Sequence, residues 1–324
     1  MPDLPFLDSF DHYLTADINQ KWTSAAGIAI VPGAGRRGTA AASVQGGGGY
    51  KTFNLEYSKL IVGAAVSSPA TTIFSFYNTI SGVNINLGSV GDGRLQVTGN
   101  DPTGGPFLGG VTKPFNNAAW YYMEMLATID TAHITFEVHV NEENILSGAY
   151  SFLDPTRFHV GHVAWATVQI FGRGGGATTG FDDLYVDQDN FYGDVNIDVI
   201  RPDGPSGTMW VPNPNVANWN NVKDITPDYD VTTVSSANVN DLDQYTMQDI
   251  PLAADVKAIQ GIASVKKDTA GLAAMKLQYG TIGAKFSDEF YPSEGTYLMC
   301  RDGRKDITNP ADINNITFGP LRTK

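Results

Sequence analysis

The chain has 324 residues, 42% hydrophobic and 17% charged, with 35 glycines, 17 prolines, a single cysteine and a formal net charge of -13 at pH 7. That length is about two domains' worth, and the lone Cys300 excludes a disulfide scaffold, a four-thiolate zinc site and an iron–sulfur protein. The acid excess argues against nucleic-acid binding, no run of about 18 apolar residues is present to span a membrane, and the acidic start Met1-Pro-Asp-Leu-Pro5 does not read as a secretory signal.

Helical spacing of apolar residues is nearly absent, and alternation with a period of two recurs instead. In chain order it predicts strands over residues 27–31, 59–66, 71–77, 83–87, 94–98, 120–128, 133–140, 158–171 and 181–186. The clearest is 133–140, where Ile134, Phe136, Val138 and Val140 point one way and His133, Thr135, Glu137 and His139 the other. Turn signals separate these runs, among them Gly91-Asp-Gly93, Gly99-Asn-Asp-Pro102 and Gly172-Arg-Gly-Gly-Gly176. Short strands broken by turns, with no helices between, predict an all-β antiparallel sandwich or jelly roll.

The composition shifts near residue 188. A polar stretch, Asp187-Gln-Asp-Asn190, precedes an alternating run over 193–200 and then a proline-rich, loop-like segment over 201–236. That segment holds Trp210, Trp219 and Tyr229. Strand patterns resume at 244–250, 256–266, 270–279 and 283–286, and an apolar stretch over 313–321 closes the chain. We therefore expect two domains, 1–190 and a second β-sandwich-like domain over 191–324. Long loops are often functional or ordered by a partner, so 201–236 is the expected inter-subunit surface; an irregular coil pinned by two buried tryptophans is the alternative.

Several segments carry a likeness. Trp120-Tyr-Tyr-Met-Glu-Met-Leu-Ala-Thr128, the strand over 134–140 with Asn141, and Phe181-Asp-Asp-Leu-Tyr-Val186 resemble the concanavalin A-like (laminin G-like) jelly roll. The turn Asn141-Glu-Glu-Asn144 departs from that family's glycine pattern. The opening Phe6-Leu-Asp-Ser-Phe-Asp-His-Tyr13, with Lys21-Trp22 and Arg36-Arg37 following, is similar to such domains in virion proteins of tailed bacteriophages. Gly193-Asp-Val195, Arg201-Pro202, Trp210-Val-Pro212 and Pro310-Ala-Asp-Ile-Asn314 resemble a phage virion module in the second part.

Motifs that would carry chemistry are incomplete. Gly33-Ala-Gly35-Arg-Arg-Gly38 matches a dinucleotide fingerprint, but such a site needs a helix opening at the third glycine, and 39–45 leaves room for about two turns before Gly46–Gly49. Gly46–Gly49 before Lys51 is not a phosphate loop, because Tyr50 stands where glycine is needed. A glycosidase needs two carboxylates about 5–9.5 Å apart. Asp183 and Asp187, or Asp194 and Asp198, are about 13 Å apart along a strand and read as solvent-facing positions. His133 and His139 lie about 20 Å apart at strand rise, whereas His139 and Glu137 are about 6.6 Å apart and offer at best two ligands. Calcium at Asp182 or Asp183 has no supporting run of acids. Cys300 reads as a buried structural thiol. Aromatics able to stack on sugar rings are Tyr122, Trp165, Trp210, Trp219 and Tyr229, of which core packing equally explains Trp165.

No catalytic, cofactor or metal residue is therefore assigned. Combined with the resemblance, the expectation is a non-enzymatic structural component of a tailed-phage virion, in a tail, neck or adhesin position. It would be made in the host cytoplasm and act by docking with copies of itself and other virion proteins. Trp210, Trp219 and Tyr229 are the expected glycan or subunit contacts. A capsid decoration or head fibre, and a lectin-like module for host attachment, remain open.

Overall fold

The computed structural model describes residues 5–90, 93–101, 105–114, 119–152, 164–173, 175–280 and 284–324. The chain divides into two compact units: Phe6–Ile197, and Asp198–Lys324 joined by Pro5.

In the first unit the strands are β1 (Phe6–Asp8), β2 (Ile28–Val31), β3 (Ala41–Gln45), β4 (Gly48–Tyr57), β5 (Lys59–Ser67), β6 (Phe74–Tyr77) and β7 (Asn84–Ser89). They continue with β8 (Arg94–Asn100), β9 (Pro106–Pro114), β10 (Trp120–Ile129), β11 (His133–Val140), β12 (Glu143–Ser151), β13 (Trp165–Phe171) and β14 (Thr178–Asp187). One short helix, α1 (Ile18–Lys21), follows β1. The strands form two antiparallel sheets, ordered β12-β11-β10-β5-β14-β3-β2, with β1 also on β14, and β4-β13-β6-β7-β8-β9. This is an all-β jelly-roll sandwich.

Burial follows from pattern. In β11, Ile134, Phe136, Val138 and Val140 are buried, as alternation requires of a strand with one covered face. The run Leu60-Ile-Val-Gly-Ala-Ala-Val66 is buried on both faces, because β5 sits between β10 and β14 and its outer face is covered as well. There Ile61, Ala65, Tyr122 and Tyr185 pack with Tyr192 and Val195 from the segment after β14. Gly63 makes this layer possible: a Cβ at that position would lie 2.2 Å from Tyr185 Cε1.

The second unit contains β15 (Pro202–Thr208), β16 (Val211–Asn213), α2 (Asn218–Asn221), β17 (Thr233–Ser235), β18 (Asp243–Met247) and β19 (Ile259–Val265). After them come β20 (Met275–Tyr279), β21 (Lys285–Phe286), β22 (Leu298–Arg304), α3 (Pro310–Asn314) and β23 (Thr317–Arg322). A five-stranded sheet runs β15-β18-β23-β20-β21, beside the pairs β16-β17 and β19-β22. Leu277 and Tyr279 from β20, Cys300 from β22, and Phe290, Ile307 and Ile313 build its core, with Ile259 and Val265 of β19 packed against them.

Several local expectations change. Residues 41–45, outside every expected strand, form β3, since Ala41, Ala42 and Val44 are buried between β2 and β14. The segment 201–236 is not a plain loop: it contains β15, the β16–β17 pair and α2. β15 escapes a strand reading because Pro202 and Pro205 interrupt it, and proline is tolerated only where a donor is dispensable. β15 is an edge strand, with register shifts near both prolines. Ile313 lies in α3, where Asn309 caps the helix by accepting Ala311 N–H at 3.0 Å and Pro310 fills the first turn. The run 193–200 forms no strand, although Val195, Ile197 and Val199 are turned inward more than Asp194, Asn196 and Asp198. Residues 158–163 of the strand expected over 158–171, and with them His159 and His162, lie outside the described residues.

Candidate functional site

The expected contact residues sit on the ordered segment 201–236. Trp210 is half-buried, and its Nε1 donates to Asp241 O at 3.1 Å. On α2, Asn218 Nδ2 donates to Trp210 O at 2.8 Å and to both oxygens of Asp243 at 3.1 and 2.8 Å. Asp243 is fully buried and also accepts the Tyr245 hydroxyl. Burial pushes its pKa above the usual carboxylate range, against the pull of these donors. Asn221 Nδ2 donates to Pro214 O at 2.9 Å and to Thr233 O at 3.1 Å, which ties together the two flanks of the β16–β17 pair.

Trp219 is half-buried rather than fully buried, with Lys223 Nζ 4.9 Å from its ring centroid. Tyr229 adopts φ +57° and places its ring 4.8 Å from Tyr297. Tyr297 in turn donates to Asp230 at 2.9 Å and carries Lys266 Nζ 5.1 Å over its ring. Thus α2 links Trp210 to Trp219, while Tyr229 joins Tyr297, a neighbour distant in sequence. The polar side chains named above are engaged internally, yet Met209, Val211, Val216 and Val231 are 47–71% exposed.

In the first unit, the motif residues build buried networks. Asp8 accepts from Phe10 N–H at 3.0 Å, Tyr13 OH at 2.6 Å and Trp22 Nε1 at 2.8 Å, and pairs with Lys21 Nζ at 3.3 Å. Lys21 Nζ is also 2.9 Å from His12 Nε2. Burial alone would raise the Asp8 pKa. The Lys21 ammonium and the hydrogen bonds from Tyr13 and Phe10 outweigh it and hold the group below the usual carboxylate range. His12 is driven down to about 3, first by burial and then by Lys21, and so stays neutral. These contacts explain why the opening run and Lys21-Trp22 belong together.

The glycine-rich loop Gly33–Gly38 is a clip on β14. Arg36 N–H donates to Asp182 Oδ2 at 3.0 Å and its Nε to Asp183 at 3.1 Å, while its Nη atoms reach Asp194 and Val195 O. Its guanidinium lies 5.2 Å over the Tyr122 ring. Gly35 must be glycine, because a Cβ there would meet Asp182 Oδ2 at 2.6 Å and Ala40 O at 2.8 Å. β14 bulges between Asp182 and Tyr185, and Asp183 takes φ +49°. The bulge lets two successive carboxylates address one arginine.

Asp182, Asp183 and Asp187 are buried, which corrects the reading of Asp183 and Asp187 as solvent-facing positions. Asp187 accepts the Tyr192 hydroxyl, and Glu124, also buried, accepts from Tyr185 OH, Tyr192 N–H at 3.0 Å and Gly193 N–H at 2.9 Å. Burial and the neighbouring Asp183 push Asp182 up to about 7. Such a group titrates where a general acid would, but its oxygens are engaged by Arg36 N–H, Thr39 Oγ1 and Asp183 N–H. Their present chemistry is to hold the clip. Of the other aromatic candidates, Tyr122 and Trp165 are core residues, donating to Asp183 O at 2.9 Å and Ala127 O at 3.1 Å. His139 stacks on Phe191 at 3.9 Å, with Glu137 3.7 Å from its Nε2. Cys300 is buried, and burial pushes its thiol up to about 12, far from a reactive thiolate.

No protein-family model and no curated protein matches the chain. Solved structures do. A GH43 protein from Bacillus licheniformis aligns at 12% identity and TM-score 0.32, over 46% of this chain and 33% of that one. The catalytic domain of a glycoside hydrolase family 131 protein from Coprinopsis cinerea aligns at 12% and 0.34, over 58% of this chain and 95% of that one. A tail fibre protein from an Escherichia coli phage aligns at 14% and 0.24, over 45% of this chain and 16% of that one. The chain thus spans less than two thirds of the GH43 protein and of the tail fibre. At these identities the likeness is one of fold alone, and it assigns no function and no place in a virion. The expectation that the chain is not an enzyme is corrected: proteins of glycoside hydrolase families 43 and 131 stand among the similar structures.

Proposed function

We propose that this chain is a surface component of a tailed-bacteriophage particle that assembles with copies of itself through the segment 201–236. The observation that carries the reading is the inverted burial of that segment. Asn218, Asn221 and Trp210 are tied inward by hydrogen bonds, in part to the buried Asp243, while Met209, Val211, Val216 and Val231 face solvent. Ordered backbone that displays apolar side chains is what a docking surface requires, and single weak contacts gain strength when many copies assemble. The likeness of the opening run and of the second-unit segments to phage virion proteins supports the particle as its setting.

The test is limited proteolysis of free protein and of protein within purified particles, the latter identified by mass spectrometry. The reading predicts that cleavage within 201–236 is suppressed in particles. Equal cleavage in both states, or absence of the chain from particles, contradicts it.

A further inference from the structure

The buried ion pair at the chain entry is arranged as the two reactants of a condensation. Asp8 ends β1 and Lys21 ends α1; both side chains are fully withdrawn from solvent, with Lys21 Nζ 3.3 Å from Asp8 Oδ1. Aromatic rings enclose them. Trp22 meets Phe6 edge-on at 5.6 Å between centroids and stacks on Phe10 at 6.4 Å. Nζ lies 5.4 Å from the centroid of the Phe6 ring and 5.8 Å from that of Tyr13. Phe10 takes φ +61°, a costly conformation for a bulky residue, and in it the Phe10 N–H meets Asp8 Oδ1 at 3.0 Å.

Each moving atom has a partner in this pocket. Oδ2 receives Tyr13 OH at 2.6 Å and Trp22 Nε1 at 2.8 Å, two fixed donors at the oxygen where negative charge grows when a nitrogen attacks Cγ. On the other side, His12 Nε2 lies 2.9 Å from Nζ. An ammonium only donates, so Nε2 is the accepting nitrogen of a neutral imidazole, placed to take a proton from Nζ. The ion pair itself carries the desolvation cost of two charges, and one proton moved from Nζ to Oδ1 cancels both. Fixed contact of this kind turns a slow bimolecular step into a unimolecular one.

We infer that Lys21 and Asp8 condense into an intramolecular amide, the ion pair being the form before closure. The Nζ–Cγ bond forms and the Cγ–Oδ1 bond breaks. Of the three ammonium protons, one stays on the amide nitrogen and two leave with Oδ1 as water, with His12 as relay. Oδ2 remains as the amide oxygen and keeps both donors. Nothing is oxidised or reduced, and no co-reactant is needed. The product replaces two buried charges by one neutral, hydrogen-bonded group, which an aromatic pocket accommodates at lower cost. It also fastens α1 to β1, whose Asp8 is in register with Leu184 of β14. The bond lies wholly within the first unit and does not depend on assembly through 201–236.

The test is intact-mass spectrometry of the folded full chain, followed by denaturation and digestion with trypsin and chymotrypsin. The inference predicts a mass lower than that of the sequence by one water and no tryptic cleavage after Lys21. Chymotryptic cleavage after Phe10, Tyr13 and Leu14 should then leave a branched peptide joining the Asp8 and Lys21 segments. Lys21→Arg keeps a cation but offers a guanidinium, a poor nucleophile, and should retain its full mass. Tyr13→Phe removes one donor to Oδ2 and should close about a hundredfold more slowly after refolding. The wild-type mass decides the matter even if a variant fails to fold. A folded wild-type chain that keeps its full mass on prolonged incubation overturns the inference. So does a loss of water mapped elsewhere, such as a succinimide at Asp203-Gly204, or the same loss in Lys21→Arg.

Discussion

Asp8 shows how one buried carboxylate organises a chain entry. It receives two aromatic side-chain donors, one backbone N–H and the Lys21 ammonium within a layer formed by Phe6, Phe10 and Trp22. Asp8→Asn keeps the shape but removes the carboxylate charge that pairs with the buried Lys21. Breaking such a pair costs about 3–5 kcal/mol, and the expected result is a loss of that size in urea unfolding. A second residue-scale expectation concerns pH. Asp182 has a folded pKa of about 7, against about 3.9 for an unfolded aspartate. A raised carboxylate stabilises the fold fully below the unfolded value, and that contribution is lost as pH rises toward 7. His12, depressed to about 3, acts oppositely: its contribution is present above about 6.5 and is lost as pH falls. The two partly cancel in the wild-type profile, so the informative quantity is a difference. The stability of wild type relative to Asp182→Asn should fall between pH 4 and 7; a flat difference would contradict the assignment.

At the scale of elements, the Gly33–Gly38 loop, β14 and the segment after it act as one clip closed by Arg36. Arg36→Met removes the cation paired with the buried Asp183 beside Asp182, and a destabilisation of about 3–5 kcal/mol is expected from the urea midpoint and slope. Arg36→Lys should recover little, since one ammonium cannot serve the directions spanned by Nε and both Nη atoms. The sequence made β5, β10, β11 and the core of β14 readable, because alternation or a continuous apolar run records which faces are covered. It did not reveal the clip: its partners lie about 150 positions apart, and a bulge changes which way Asp182 and Asp183 point. β15 was hidden by its prolines and β3 by its alanines.

For the whole molecule, the account proposes that assembly runs through the unit Asp198–Lys324. Trp210, Trp219 and Tyr229 remain proposed contacts, now set within a segment whose ordered backbone displays Met209, Val211, Val216 and Val231. The most direct measurement of the central claim is sedimentation equilibrium of the full chain over a concentration series, beside the variant Val211→Asp with Val231→Asp. The account predicts reversible self-association of the wild-type chain and a folded, monomeric variant, because each new carboxylate would have to be buried unpaired at the contact. A wild-type chain that stays monomeric throughout, or a variant that associates as strongly as wild type, would contradict it.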